Sequence, residues 1–575
     1  MFNLKSTRVI LSIVASAIAL FGCDKSEEKS EDPVLQYVPA DTPYIFASLT
    51  PLPDDLMDKL EPRIERVLQS YQSVLHEVIA TKQQELSEEE RNSDEVKQMN
   101  AVVDELMTLL SVEGMREAGI GRESTGAFYG NGLLPVARLQ LTDGALFERT
   151  LTRLEEQAGQ ALPVAEIDGH SYRYFDADKI KIVIAVIEQQ AVFTIVPASF
   201  DEAQTGHALG LTLPEKSIAD TGVLQDIADK YGYTDHYVGF LDVAAFVEPF
   251  LGEATGVSAA LLAAGEYDAS MISDVCRAEI RSVAGIAPRM VMGYTAINVD
   301  NLDSNIVVEL REDLATGLQG LAAAVPGLGG DKGGLMSFGM SLDVKAARAF
   351  VEARLDALEA EPFECEHFAE LQAGVAGARE GLNQPVPPMV YDFRGFLAVI
   401  DNIEGLNIAT QTPPTSVDGS FLLAMDNATA LVSMGAMFSP EIAELNLQSD
   451  GKPVALDLPQ LQGMGMDAFA AMTDSALAIS VGDESESQIA DILGAEASDP
   501  SPFMSFSLDA ARYYSFLGDA MVAGGQDDEH APSPELQAAM NEVMQAVADV
   551  YDRMSAEVML TERGVEVQSS VSLKD

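Results

Sequence analysis

The sequence predicts an α+β fold made of two tandem, distantly similar halves, residues 37–312 and 313–575, each with antiparallel hairpins forming a sheet and helices packed on one face. Three observations predict it. A unit of alternating strand, Leu-Asp and apolar-periodic helix recurs along the chain. Hairpin-like segments follow one another in the same order in both halves. Strand signals come in runs instead of alternating one by one with helices, which is the pattern of α+β and not of a parallel sheet. Identity between the halves is low, so pattern and order carry the prediction.

Taken in order, the first element is residues 1–22, "MFNLKSTRVILSIVASAIALFG". Lys5 and Arg8 form a positive n-region, Val9 to Phe21 an apolar h-region, and Gly22 is a small residue at the cleavage point of a signal peptide. The run is short for a membrane span, which needs about 20 apolar residues. Leu20-Phe21-Gly22-Cys23 resembles the lipobox of bacterial lipoproteins. That resemblance implies that Cys23 is acylated and becomes the mature N-terminus, although Phe21 is bulkier than the residue usual there. An ordinary signal peptide cut nearby, or an uncleaved anchor, is the alternative. Residues 23–36 read as a polar tether; its stretch from Asp24 to Pro33 has almost nothing apolar to fold around, and those ten residues reach roughly 30 Å when extended. The expected location is the bacterial cell envelope, lipid-anchored and facing the periplasm. By resemblance to enterobacterial sorting, Asp24 points to the inner membrane.

The body opens on "TPYIFASLTPLPDDLMDKL", the first version of the recurring unit. The others are "HYVGFLDVAAFVEPFLG", "LMSFGMSLDVKAARAFVEARL" and "PFMSFSLDAARYYSFLG", the first and last of these with a helix expected to end at Phe-Leu-Gly. Asp242, Asp343 and Asp509 stand where strand gives way to helix, where a side-chain oxygen accepts from unpaired first-turn N–H groups. Thr50 is expected to do the same, with Pro51 at the first helical position. Recurrence at equivalent places favours helix caps over catalytic carboxylates. After Leu56, apolar residues at Leu60, Ile64, Val67, Leu68, Tyr71, Leu75 and Val78 make a helical stripe. A solvated charge run follows, and then "AVVDELMTLLSV". These predict a helical hairpin insertion over about 54–113, with its tip in water.

The remaining elements pair between halves. "AEIDGHSYRYF" matches "LQSDGKPVALDL", each with an Asp-Gly that signals a tight hairpin. "IKIVIAVIEQQAVFTIV" matches "AFAAMTDSALAISV" as two alternating strands around a polar turn. "RMVMGYTAINVDNLDSNIVVEL" matches "RMSAEVMLTERGVEVQSSVSL", each preceded by a helix. The opening "VPADTPYIFASL", the Asp-Gly hairpins and the strand-Leu-Asp-helix units resemble a family of uncharacterised bacterial envelope proteins, defined only as a domain of unknown function. The resemblance implies no active site.

Composition narrows the function. Lys and Arg total 35 against 91 acids, a formal net charge of −56. Such a chain repels phosphate backbones, so nucleic acid is not an expected partner. Attachment to a membrane then rests on the N-terminal lipid and not on a basic patch. Hydrophobic residues make up 47%, which excludes disorder for the body. With Cys23 reserved for lipid, Cys276 and Cys365 are an even pair in an exported chain and predict a disulfide. Two buried free thiols are the alternative.

Chemistry-bearing motifs are sparse. None of the 6 histidines stands at a close metal-ligand spacing. His367 is near Cys365, but a disulfide consumes that thiol. "GLGGDKGG" lacks the Gly-Lys-Ser/Thr ending of a phosphate loop and reads as a linker loop. "GRESTGAF" lacks the nucleophile-elbow order, so Ser124 reads as a loop serine. The acidic runs near Asp176 and Asp300 lack the full calcium-loop pattern. Methionine is abundant, with 23 residues, several in "GMGMDAFAAM" and "VSMGAM"; core filling is favoured over a flexible apolar-ligand surface. No catalytic, metal or cofactor residue is assigned. The expectation is a non-enzymatic envelope lipoprotein that binds or scaffolds an apolar ligand or an envelope protein. The alternatives are a carboxylate-dependent envelope hydrolase and a spacer without a specific ligand.

Overall fold

The computed structural model describes residues 33–84, 86–91, 93–406, 414–457, 461, 465–524 and 533–575. Cys23, Asp24 and nearly all of the tether lie outside them. The protein is α+β and built on extensive antiparallel sheet. It divides into two compact units: residues 1–272 with 289–302, and residues 273–288 with 303–575.

The first unit holds β1 (Tyr44–Ser48), β2 (Gly126–Asn131), β3 (Leu134–Gln140), β4 (Val164–Ile167), β5 (His170–Ala177), β6 (Ile180–Ile187), β7 (Gln190–Pro197), β8 (Tyr237–Asp242) and β9 (Arg289–Ile297). Their order is β4-β5-β6-β7-β3-β2-β1-β8-β9, antiparallel throughout. Asp168-Gly169 closes β4 onto β5, with both residues at positive φ (50° and 80°), the backbone that a two-residue hairpin demands. Between β1 and β2 run the helices Asp54–Gln84, Asp94–Leu109 and Val112–Glu117. The long helix buries Leu56, Met57 and Leu60 at its root and leaves Tyr71 and Val78 exposed further out.

The second unit holds β10 (Asn301–Glu309, all but its first two residues), β11 (Met336–Ser341), β12 (Phe393–Glu404), β13 (Ser416–Met425), β14 (Val454–Ala455), β15 (Ala468–Met472), β16 (Ala476–Val481), β17 (Met504–Asp509), β18 (Tyr551–Thr561) and β19 (Gly564–Leu573). Their order is β14-β15-β16-β13-β12-β11-β17-β18-β19-β10. The core lies on one face of this sheet. Leu397, Leu422, Ala424, Ala476 and Ala478 pack there against Val325, Leu328 and the helix Ser485–Gly494 through Ile489 and Ile492.

Serine is frequent on that buried face. Ser337 and Ser507, directly opposed on β11 and β17, share a hydrogen bond of 2.8 Å. Ser341 Oγ donates to the Pro502 carbonyl at 2.8 Å and accepts from Ala323 N. Ser480 donates to the Ser485 carbonyl. Each of these four hydroxyl groups therefore has the partner that burial requires.

Cys276 and Cys365 form a disulfide within the second unit, with Cα atoms 4.7 Å apart. Glu279, on the same helix as Cys276, accepts from the Glu364 and Cys365 amides at 2.7 and 3.0 Å.

Three sequence expectations need correction. The first helix starts at Asp54, not Pro51, so Thr50 does not cap it; the Thr50 carbonyl instead lies 3.2 Å from His236 Nδ1. Asp450-Gly451 turns no hairpin, because Pro440–Leu445 is helical and leaves no strand before β14. The helix after β17 runs past Phe-Leu-Gly to Gly524, having no left-handed glycine there. Its counterpart after β8 ends at Leu251, where Gly252 has φ 97°.

Candidate functional site

The sheet of the second unit has an unusual distribution of side chains. Antiparallel sheets that bury one face normally turn polar residues to the other. Here the face opposite the core is apolar. Along β11, residues alternate between buried Ser337, Gly339 and Ser341 and accessible Met336, Phe338 and Met340. Cross-strand register extends this into rows. Ile479, Phe421, Ala398, Phe338, Phe506 and Ala556 stand side by side on β16, β13, β12, β11, β17 and β18. On one side of this row runs Leu477, Leu423, Phe396, Met340, Met504 and Val558; on the other, Val481, Gly419, Ile400, Met336, Leu508 and Met554.

These three rows contain no charged side chain. Phe421 is 41% exposed, and Phe338 and Ile479 are each 37% exposed. Phe396 stacks on Phe421 at 5.9 Å and meets Phe338 at 5.7 Å. The large apolar residues are thus half in water, while Ser, Ala and Gly fill much of the core side. Water contact of this kind is costly for a contiguous apolar surface, and such patches mark binding sites.

The first unit repeats the feature. Phe193, Ala137, Phe128, Phe46, Gly239 and Met292 form a row across β7, β3, β2, β1, β8 and β9. Phe128 is 46% exposed. Tyr44 contacts both Phe128 and Phe246, which continue to Phe250 and Tyr267. Burial pushes the Tyr44 hydroxyl up to about 12. Where the helix Gly144–Ala158 lies on this face, Phe147 and Leu151 cover Leu139, Ile184, Val186 and Phe193.

The opposite face of the first unit holds a buried cation. Arg138, 2% exposed, donates to Gln190 Oε1 at 2.8 Å and to the Leu209 carbonyl at 2.6 Å, and it lies 3.8 Å from the Tyr37 ring centroid. Gln190 also donates to the Pro33 carbonyl at 3.1 Å. This group fastens the chain where the tether segment ends.

The aspartates of the recurring unit sit at helix starts. Asp242, Asp343 and Asp509 accept from the amides of Ala245, Ala346 and Arg512 at 2.8, 2.9 and 2.9 Å. Ser124 is fully buried and receives the Gly121 amide in a turn. The glycine-rich loop 327–334 is tied to β18: Glu557 accepts from the Gly330 amide, and Arg553 donates to the Gly333 and Gly334 carbonyls. Among the described residues one trio has metal-ligand proximity, Cys276, Cys365 and Glu366; its two sulfurs are bonded to each other and offer no thiolate.

Among the described residues, Asp401 is a carboxylate with a raised proton affinity. Burial is the main cause, reinforced by Asp418 and Glu484 and opposed by Arg512. Gln488 donates to Asp401, and Asp418 accepts from the Asp483 amide. These contacts place both carboxylates beside the helix Ser485–Gly494, which packs on the core face.

Sequence reasoning located β1, β7, β8, β9, β11, β16, β17 and β18 of these rows, but not β2, β3, β12 or β13 and not the rows themselves. Their signal is clearest on β11 and β17, where large residues on one parity alternate with Ser and Gly on the other. The two methionine segments diverge. Met437 and Phe438, at the end of the uncharged helix Ala428–Phe438, are more than 80% exposed, whereas Met466 and Met472 are buried. Among the described residues no single helix is long and apolar enough to cross a membrane; the helices Val243–Leu251 and Gly256–Ala264, bent by 55°, reach that length and composition together. Comparison with family models, with curated proteins and with solved structures found no match.

Proposed function

We propose that the chain is a non-enzymatic, membrane-anchored envelope lipoprotein that binds an apolar ligand, or the apolar surface of an envelope protein, on the open sheet faces. One observation carries this reading: each unit leaves large apolar residues of an uncharged row accessible to water, Phe128 in the first and Phe338, Phe421 and Ile479 in the second. The disulfide agrees with an oxidising compartment outside the cytoplasm. Acylation at Cys23 would hold the body near its ligand source.

The two units also support an origin by tandem duplication. In the first, β1 lies between β2 and β8, β2 leads to β3, and β3 pairs with β7. In the second, β11 lies between β12 and β17, β12 leads to β13, and β13 pairs with β16. Chain order and pairing correspond for these five strands of each unit, although the first unit carries one more strand beyond β7 than the second does beyond β16, and β10 and the helix Asp274–Ala284 pack with the second unit.

The test is native mass spectrometry of the lipidated protein after gentle extraction from its own membrane. A defined added mass, lost on substituting Phe421 or Phe128 by Asp, supports the reading. A clean, unliganded body that binds no apolar probe sinks it. The carboxylate-hydrolase alternative has the proton affinity of Asp401 in its favour. It predicts a hydrolytic activity that Asp401→Asn abolishes.

A further inference from the structure

We propose that the open face of the second unit holds the acyl chains of a zwitterionic phospholipid drawn from the bilayer, lying across the strands. This rests on the binding reading above and names its ligand. Six strands at about 4.8 Å spacing make each row roughly 24 Å long. One leaflet of hydrocarbon is about 15 Å thick, so an acyl chain fits along a row.

Charge selects among occupants. Among the described residues the three rows offer no cation to receive a fatty-acid carboxylate or an anionic headgroup, and Arg394, two residues before Phe396, is already paired with Asp343 and Asp426. The rows offer no anion for a basic peptide either, because Asp401 and Asp418 engage Gln488 and Asp483 beside the core-side helix. A second copy of a chain with net charge −56 is repelled over the whole surface. What remains is a ligand with an apolar body and no net charge. Binding it removes Phe338, Phe421 and Ile479 from water, the term that drives such association.

The full chain, stripped of copurifying lipid, is mixed with phosphatidylcholine vesicles carrying a small fraction of a diazirine-chain phosphatidylcholine. The protein is separated from the vesicles, irradiated and mapped by peptide mass spectrometry. The expected result is stoichiometric uptake, with cross-links on β11, β12 and β13. Phe421→Asp is expected to lower uptake about tenfold, because a carboxylate on the face loses its hydration. Val351→Asp, at an exposed apolar site on the helix Val344–Ala360, leaves uptake unchanged. Labelled phosphatidylglycerol is expected to be taken up less than the zwitterionic lipid.

Cross-links confined to other surfaces overturn the proposal, and so does uptake that Phe421→Asp does not alter. Should Phe421→Asp not fold, the cross-link map of the unaltered protein decides alone. Absence of lipid uptake, with a neutral apolar dye still bound in a Phe421-dependent way, overturns the lipid but leaves the binding reading standing. Failure of both lipid and dye overturns both.

Discussion

Single residues show how the chain spends its polar groups. Ser337 and Ser507 satisfy each other across β11 and β17, so removing one leaves the other buried without a partner. Ser337→Ala is expected to cost about 1–2 kcal/mol. The double substitution with Ser507→Ala should cost less than twice that, a non-additivity that urea denaturation measures. Asp242→Ala removes a cap whose oxygen takes the Ala245 amide at 2.8 Å. The expected loss is about 1 kcal/mol by the same measurement. Glu61 contributes to the acid dependence of the first unit. Hydrogen bonds from Arg122 are the largest cause holding its carboxyl below the usual range, with Arg116 adding to them and burial opposing. Because the folded pKa is depressed, this stabilisation is complete above the unfolded value and is lost as pH falls through the folded one. Glu61→Gln should therefore flatten the acid limb of a stability–pH curve and leave alkaline behaviour unchanged.

At the scale of elements, legibility followed periodicity. The helical stripe after Leu56 and the alternation in "IKIVIAVIEQQAVFTIV" were readable because one side of each element meets a core, and the period records which side. Three of the four recurring units start their helices at the aspartate the sequence pointed to. The fourth did not, since two prolines and Leu52 delay the helix from Pro51 to Asp54. The Asp-Gly signal worked before β5 and failed before β14 for a comparable reason: a turn dipeptide makes a hairpin only if the residues before it are extended, and Pro440–Leu445 is not. The disulfide ties the helix Asp274–Ala284 to the segment around Cys365 across 89 residues. Its replacement by a Ser pair is expected to cost about 2–5 kcal/mol, read as a lowered midpoint of chemical unfolding.

For the whole molecule the dominant quantity is charge. A net charge of −56 makes the folded state repel itself. Added salt should therefore raise the unfolding temperature up to a few hundred millimolar, where the Debye length falls below about 8 Å. Calorimetry across a salt series checks this, and a flat or falling trend would show that local ion pairs outweigh the net repulsion. The apolar faces set the second global property. Substituting Phe421 by Asp should change the stability of the isolated protein by less than about 1 kcal/mol, because the side chain is already 41% exposed. A comparable change at Leu422, fully buried on the opposite parity, should unfold the unit.

The sequence by itself determined the helical stripe after Leu56, the alternating strands of β6 and β7, the pairing of Cys276 with Cys365 and the role of three aspartates at helix starts. All of these depend on local periodicity, on turn and cap chemistry, or on the count of a rare residue. The tertiary structure alone decided which parity of each strand is buried. Both parities are apolar enough to enter a core, and the choice is made by what packs against the sheet. The loop around Val325 and Leu328 and the helix bearing Ile489 and Ile492 fit closely over Ser, Ala and Gly. That packing leaves Phe338, Phe421 and Ile479 on the side facing water.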